Sequence, residues 1–112
     1  MGKLVRDKIP DIIKESGGKP EFWQLNSIDY RNALYDKLKE EVEELCKDRN
    51  AEEMADVIEV LTCLCIDDPN AYGNVFEIAK VKKEKRGSFL RRYFLKKYNR
   101  RSEERFSRNA ET

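Results

Sequence analysis

An all-α fold, an antiparallel helical bundle whose core is completed by oligomerisation, is the class this sequence predicts. Three observations lead there. Apolar residues recur at helical spacing over two neighbouring stretches, first Leu34, Leu38, Val42 and Leu45, then Met54, Val57, Ile58, Leu61, Leu64 and Cys65. A short polar break, residues 46–50, separates the stretches as a hairpin turn would. Charged residues make up 40% of the 112 and hydrophobic residues 39%, the balance of helices with a narrow apolar seam.

In chain order, the opening LVRDKIP leads into a short helix with Pro10 in its first turn and Gly17-Gly18 stopping it. Residues 19–25, KPEFWQL, read as an extended segment or loop, with Phe22 and Trp23 as core or interface residues. Asn26 or Ser27 caps a long helix to about residue 46. A second runs over 51–66 and ends at Asp67-Asp68-Pro69, where Asp68 caps and Pro69 opens a third. That third helix carries Val75, Phe76, Ala79, Lys82 and Arg86 and ends at Gly87. Beyond it Tyr93, Phe94, Leu95 and Tyr98 are expected to pack or pair, and residues 99–112 form a basic tail without apolar periodicity.

The chemistry concentrates in residues 40–56, EEVEELCKDRNAEEMAD. At ~100° per residue, Glu41 falls inside the first apolar stripe with Glu44 at its border, and Glu53 falls inside the second with Asp56 on its flank. Levels in an antiparallel hairpin match where residue numbers add to a constant, and Glu44 with Glu53 and Glu41 with Asp56 both give 97. Four carboxylates gathered this way take up protons or need a cation, and all-oxygen donors favour Mg²⁺ or Mn²⁺. The competing reading is a solvated glutamate-rich face, with Glu53 as the N3 partner of Asn50 in a capping box. Glu43, Glu52 and Glu59 point away under either reading.

One domain is the expectation for this length. No apolar run approaches the ~20 residues of a membrane span, and the start has no signal-peptide core, so a cytoplasmic, non-membrane protein is expected. The sequence has no histidine, which excludes His-based acid–base work and Cys/His zinc sites; Cys46, Cys63 and Cys65 read as reduced thiols. Net charge is uneven. Residues 1–77 carry ten basic and eighteen acidic side chains, net −8, and residues 78–112 thirteen and four, net +9. Arg6 and Lys8 read as exposed charges or anion contacts, and Lys82 and Arg86 share a helix face.

Four segments together resemble one superfamily: LVRDKIP, KLKEEVEEL at 37–45, EEMADVIEVL at 52–61 and K-x-x-x-R-G-x-F at 82–89. They are similar to the MazG-type all-α nucleoside triphosphate pyrophosphatases, and more narrowly to the small house-cleaning members with a VRDKIP-like start. The resemblance spans about residues 3–96. It implies an Mg²⁺-dependent enzyme that cleaves a nucleoside triphosphate to monophosphate and pyrophosphate; the expected organisation is a 1–98 pyrophosphatase-like domain followed by the 99–112 basic tail, to which nothing carries over. The resemblance places metal ligation on Glu41, Glu44, Glu53 and Asp56. Glu40 is the first acid of E-E-x-x-E, for a second metal or for orienting water, with Glu40 or Glu44 as base; Lys82 and Arg86 would meet the triphosphate. Ser88 departs from the second glycine common in the family.

The partners expected are therefore a nucleoside triphosphate and further copies of the chain, as a dimer or tetramer. Two alternatives stand beside this one. Phosphoribosyl-ATP pyrophosphohydrolase chemistry belongs to the same fold, and a non-catalytic helical protein could bind a partner or nucleic acid through its basic end.

Overall fold

A computed structural model describes residues 2–97. It is all-helical among those residues, with five helices: α1 Ile9–Glu15, α2 Ser27–Asp48, α3 Ala51–Asp67, α4 Pro69–Tyr72 and α5 Val75–Arg86. The chain divides into two compact units, the first ending at Gly73 and the second beginning at Asn74, and each is described by itself.

The first unit is built on the α2–α3 hairpin. Asn26 caps α2, its side chain accepting from the Asp29 N–H at 2.8 Å, and Asn50 caps α3 through the Glu53 N–H at 2.9 Å. Satisfying these first-turn donors sets where each helix starts. Between the helices Arg49 adopts a left-handed conformation, and its N–H closes α2 on the Leu45 carbonyl. One residue in that region suffices to reverse the chain. The far end is tied by Arg31, whose Nε meets Asp67 Oδ2 at 2.8 Å, and by a hydroxyl contact between Tyr35 and Tyr72.

Leu34, Val60 and Leu64 form the core at 2%, 7% and 4% exposure, and Leu4, Tyr30, Leu38, Cys63 and Tyr72 pack around them. The seam on α3 is turned from its expected phase. Val60 is buried, whereas Met54, Ile58 and Leu61 are exposed, Ile58 to 57%. The apolar sector of α3 is wider than one facing helix can cover, so α2 takes the edge that also carries Glu53 and Asp56. Val42, expected inward on α2, is likewise exposed.

Three other expectations change. The third helix is two: α4 closes at Gly73, whose N–H reaches the Pro69 carbonyl, and α5 restarts after Asn74. Consecutive glycine and asparagine hold a helix poorly, and tertiary packing does not override them here. Phe22 and Trp23 lie outside the core, Trp23 at 70% exposure, and Phe22 has the Lys14 ammonium 5.1 Å from its ring centroid. Tyr93, Phe94 and Leu95 are exposed rather than packed, with no strand among the described residues. Tyr98 and the 99–112 tail lie outside the described residues.

No helix of the described residues is long and apolar enough to cross a membrane. Cys46, Cys63 and Cys65 are free thiols. In the second unit α5 ends at Gly87, whose φ of +81 is readily reached only without a side chain.

Candidate metal centre

The carboxylates on α3 are placed by the start of that helix, and those on α2 by its C-terminal half. Asn50 anchors the first turn of α3, which fixes Glu53 at its third position and Asp56 one turn deeper. On α2, Glu41 stands beside the Leu38 level, and Glu44 and Asp48 follow toward the hairpin turn.

These side chains converge in two overlapping groups. Carboxylate oxygens of Glu41, Glu53 and Asp56 all lie within 4.8 Å of one another, and so do those of Glu44, Asp48 and Glu53. Glu53 belongs to both. The four carboxylates expected from the wheel are therefore gathered, but divided: Glu44 joins Glu53 at the turn end, and Glu41 joins Glu53 and Asp56 deeper in the hairpin. Glu41 is more sheltered than Asp56, its side chain 12% exposed against 39%.

Asp48 is the acid that sequence reasoning missed. Its signal was the i,i+4 spacing from Glu44, hidden because the helix was expected to stop near residue 46 rather than at Asp48. Lys37 was missed as well. Its ammonium lies 3.3 Å from Glu40 and 3.4 Å from Glu41, an i,i+3 and i,i+4 fork legible in the spacing. Glu40 is in neither carboxylate group; it faces Lys37.

Arg6 reaches Asp56 from the opening segment, with Nη2 at 2.7 Å from Oδ1. Hydrogen bonding to Asp56, more than any other influence, raises the guanidinium pKa. Lys8 stands at the N-cap position of α1, exposed, and its carbonyl accepts from the Ile12 N–H. Lys82 and Arg86 share one face of α5, with Lys82 half-buried.

The Glu53 carboxyl is pushed up from its ordinary value. Desolvation in the hairpin comes first, followed by the negative charge of Glu44, Asp48, Asp56 and Glu41. Accumulated like charge of this kind favours either a proton or a cation.

No protein-family model matches the chain, and no solved structure matches it. The chain is similar to an uncharacterized protein of Mycolicibacterium smegmatis, 49% identical over 45 residues that make up 40% of this chain and 46% of that protein. The match thus spans less than half of the relative's length.

Proposed function

We propose that this protein is an Mg²⁺-dependent nucleoside triphosphate pyrophosphohydrolase of the MazG type, acting in the cytoplasm on non-standard nucleotides. The observation that carries the proposal is the convergence of Glu41, Glu53 and Asp56 from two helices to within 4.8 Å.

The donor set fits a hard divalent ion. Glu41, Glu53 and Asp56 bring three carboxylate oxygens within 4.8 Å of one another, the hard anionic donors that Mg²⁺ would take. Glu41, Glu53 and Asp56 would hold the ion, with Glu44 and Asp48 offering a neighbouring site through Glu53; Mn²⁺ suits the same oxygens. When bound, the cation offsets negative charge on the phosphate oxygens.

The chain's own residues do the rest. Glu44, exposed at the edge of the cluster, or Glu40 takes a proton from the attacking water. The water oxygen bonds to the α phosphorus as the bond from that phosphorus to the α–β bridging oxygen breaks, and pyrophosphate leaves with the bridging electron pair. Arg6 and Lys8, exposed cations of the opening segment, would offset charge on the phosphates, a role that the family resemblance gives to Lys82 and Arg86.

A homo-oligomer, dimer or tetramer, belongs to the same proposal. Ile28, Tyr35 and Val42 on α2 and Met54, Ile58 and Leu61 on α3 are exposed. Each stripe sits ~100° round its helix from the facing direction. With antiparallel helices, both stripes emerge on one side of the hairpin, opposite Asp56 and Glu44. A second copy covering that apolar side would leave the carboxylates accessible.

The test is hydrolysis of a panel of normal and damaged nucleoside triphosphates and phosphoribosyl-ATP with Mg²⁺ or Mn²⁺. Glu41→Gln and Asp56→Asn should each abolish turnover while remaining folded, and Glu43→Gln should change nothing. Turnover of phosphoribosyl-ATP alone would reassign the substrate. The absence of hydrolysis for every compound would leave a binding role, which the exposed Phe89, Tyr93 and Phe94 among Arg91, Arg92, Lys96 and Lys97 favour.

A further inference from the structure

We propose that Arg6 is a tethered counter-ion for Asp56 that competes with a divalent cation and yields the carboxylate when a phosphate-type anion takes the guanidinium. Cation and anion would then bind cooperatively. The inference rests on the assignment of Glu41, Glu53 and Asp56 as a cation site, and it concerns how that site is regulated.

Arg6 is fifty residues from Asp56 in sequence and is brought to it by its own short segment. Leu4 packs against the core cluster, and the Ile9 N–H bonds the Arg6 carbonyl at 3.1 Å as α1 begins. The backbone is therefore fixed on both sides of Arg6, and exchange of partner needs only side-chain motion.

Among the described residues two cations meet the cluster, and they differ in how they are held. Lys37 is clamped between Glu40 and Glu41 on its own helix, and its side chain is 18% exposed. The Arg6 side chain is 58% exposed and meets one oxygen of Asp56. A guanidinium has five N–H donors in a planar fork that suits phosphate, so donors not engaged by Asp56 can meet an anion arriving from solvent. Arg6 is thus the cation suited to exchange, and Lys37 the one suited to stay.

Charge gives the coupling its sign. Glu41, Glu53 and Asp56 carry three negative charges, and Arg6 and Lys37 bring two positive ones to their rim. A divalent ion arriving beside an engaged Arg6 meets a nearby positive charge and a carboxylate already in use. An anion that draws Arg6 away removes both obstacles. By linkage, a bound cation must then raise anion affinity by the same factor.

The experiment measures Mn²⁺ uptake by the full chain, from loss of the free-ion paramagnetic resonance signal, with and without inorganic phosphate. Protein-free titrations correct for the phosphate complex. Wild type should bind Mn²⁺ several-fold more tightly with phosphate present. Arg6→Gln should bind Mn²⁺ about two- to five-fold more tightly than wild type without phosphate, the range expected when an exposed pair is removed, and should lose the phosphate effect. Arg6→Lys, which keeps the charge, should stay close to wild type without phosphate.

Equal or weaker Mn²⁺ binding by Arg6→Gln, or survival of its phosphate effect, would overturn the proposal. Loss of folded structure in Arg6→Gln would make the pair a structural one and overturn it too. If wild type takes up no Mn²⁺ under any condition, the cation site itself fails; uptake without the Arg6 dependence removes the counter-ion role alone.

Discussion

Asn50→Ala, paired with Asn26→Ala, separates the placing of a carboxylate from the stability of the helix that carries it. Both asparagines cap a helix through one side-chain acceptor, Asn50 to the Glu53 N–H at 2.9 Å and Asn26 to the Asp29 N–H at 2.8 Å. Removing such a cap costs about 1 kcal/mol. In a domain of this size that lowers Tm by roughly 4–8 °C, and the two variants should lose similar amounts.

Their effects on cation binding should differ. Asn50 holds the turn that presents Glu53, the residue shared by both carboxylate groups, whereas Asn26 lies at the opposite end of α2. If about 1 kcal/mol of order is lost in the turn of a ligand, affinity falls by about five-fold. Circular dichroism melts and Mn²⁺ titrations on the same samples give both quantities. Two variants with lowered Tm and indistinguishable Mn²⁺ affinities would refute the idea that the α3 cap positions the site.

Three further outcomes follow from the same geometry. Leu34→Ala, at the centre of a core of three buried side chains, should lower unfolding free energy by about 2–5 kcal/mol in urea titrations; a loss under 1 kcal/mol would mean that the core lies elsewhere. Glu53→Gln should raise Tm at neutral pH. The folded chain holds the Glu53 proton more tightly than the unfolded chain does, so the penalty is full above the folded pKa and vanishes as pH falls below the ordinary carboxylate value. A Tm gain that does not vary with pH would contradict that assignment. Ile58→Glu, on the exposed apolar side of α3, should shift light-scattering mass toward the single chain, and an unchanged mass would remove that side from any interface.

The hairpin and its acids are legible in the sequence because both depend on local rules. Asn50 three residues before Glu53 is a cap signal, and helical period with matched levels brings Glu41 toward Asp56. The burial phase of α3 is not legible. An apolar sector that includes Met54, Ile58 and Leu61 as well as Val57 and Leu64 can be met by α2 from more than one direction, and periodicity does not choose between them. Nor could spacing reveal Arg6 on Asp56, since that contact depends on where Leu4 packs. Gly73 and Asn74 are a legible stop for α4, which a single helix from Pro69 to Gly87 passes over.

That α3 presents its carboxylates near the seam rather than its whole apolar sector has a physical consequence. Among the described residues three side chains are buried, a core that leaves little free energy to offset concentrated like charge. Arg6 and Lys37 supply the offset from within the chain, one from the opening segment and one from a neighbouring turn of α2. By the proposal above the same contacts would oppose a divalent ion, so neutralising the cluster from within the chain and binding that ion would compete. Asp56→Asn removes one acid and also strands the Arg6 guanidinium, and should therefore stabilise the fold less than Glu53→Gln, which relieves repulsion without breaking an ion pair. Thermal melts of the two variants side by side at neutral pH decide the point, and a larger gain for Asp56→Asn would show that Arg6 contributes nothing to neutralising the cluster.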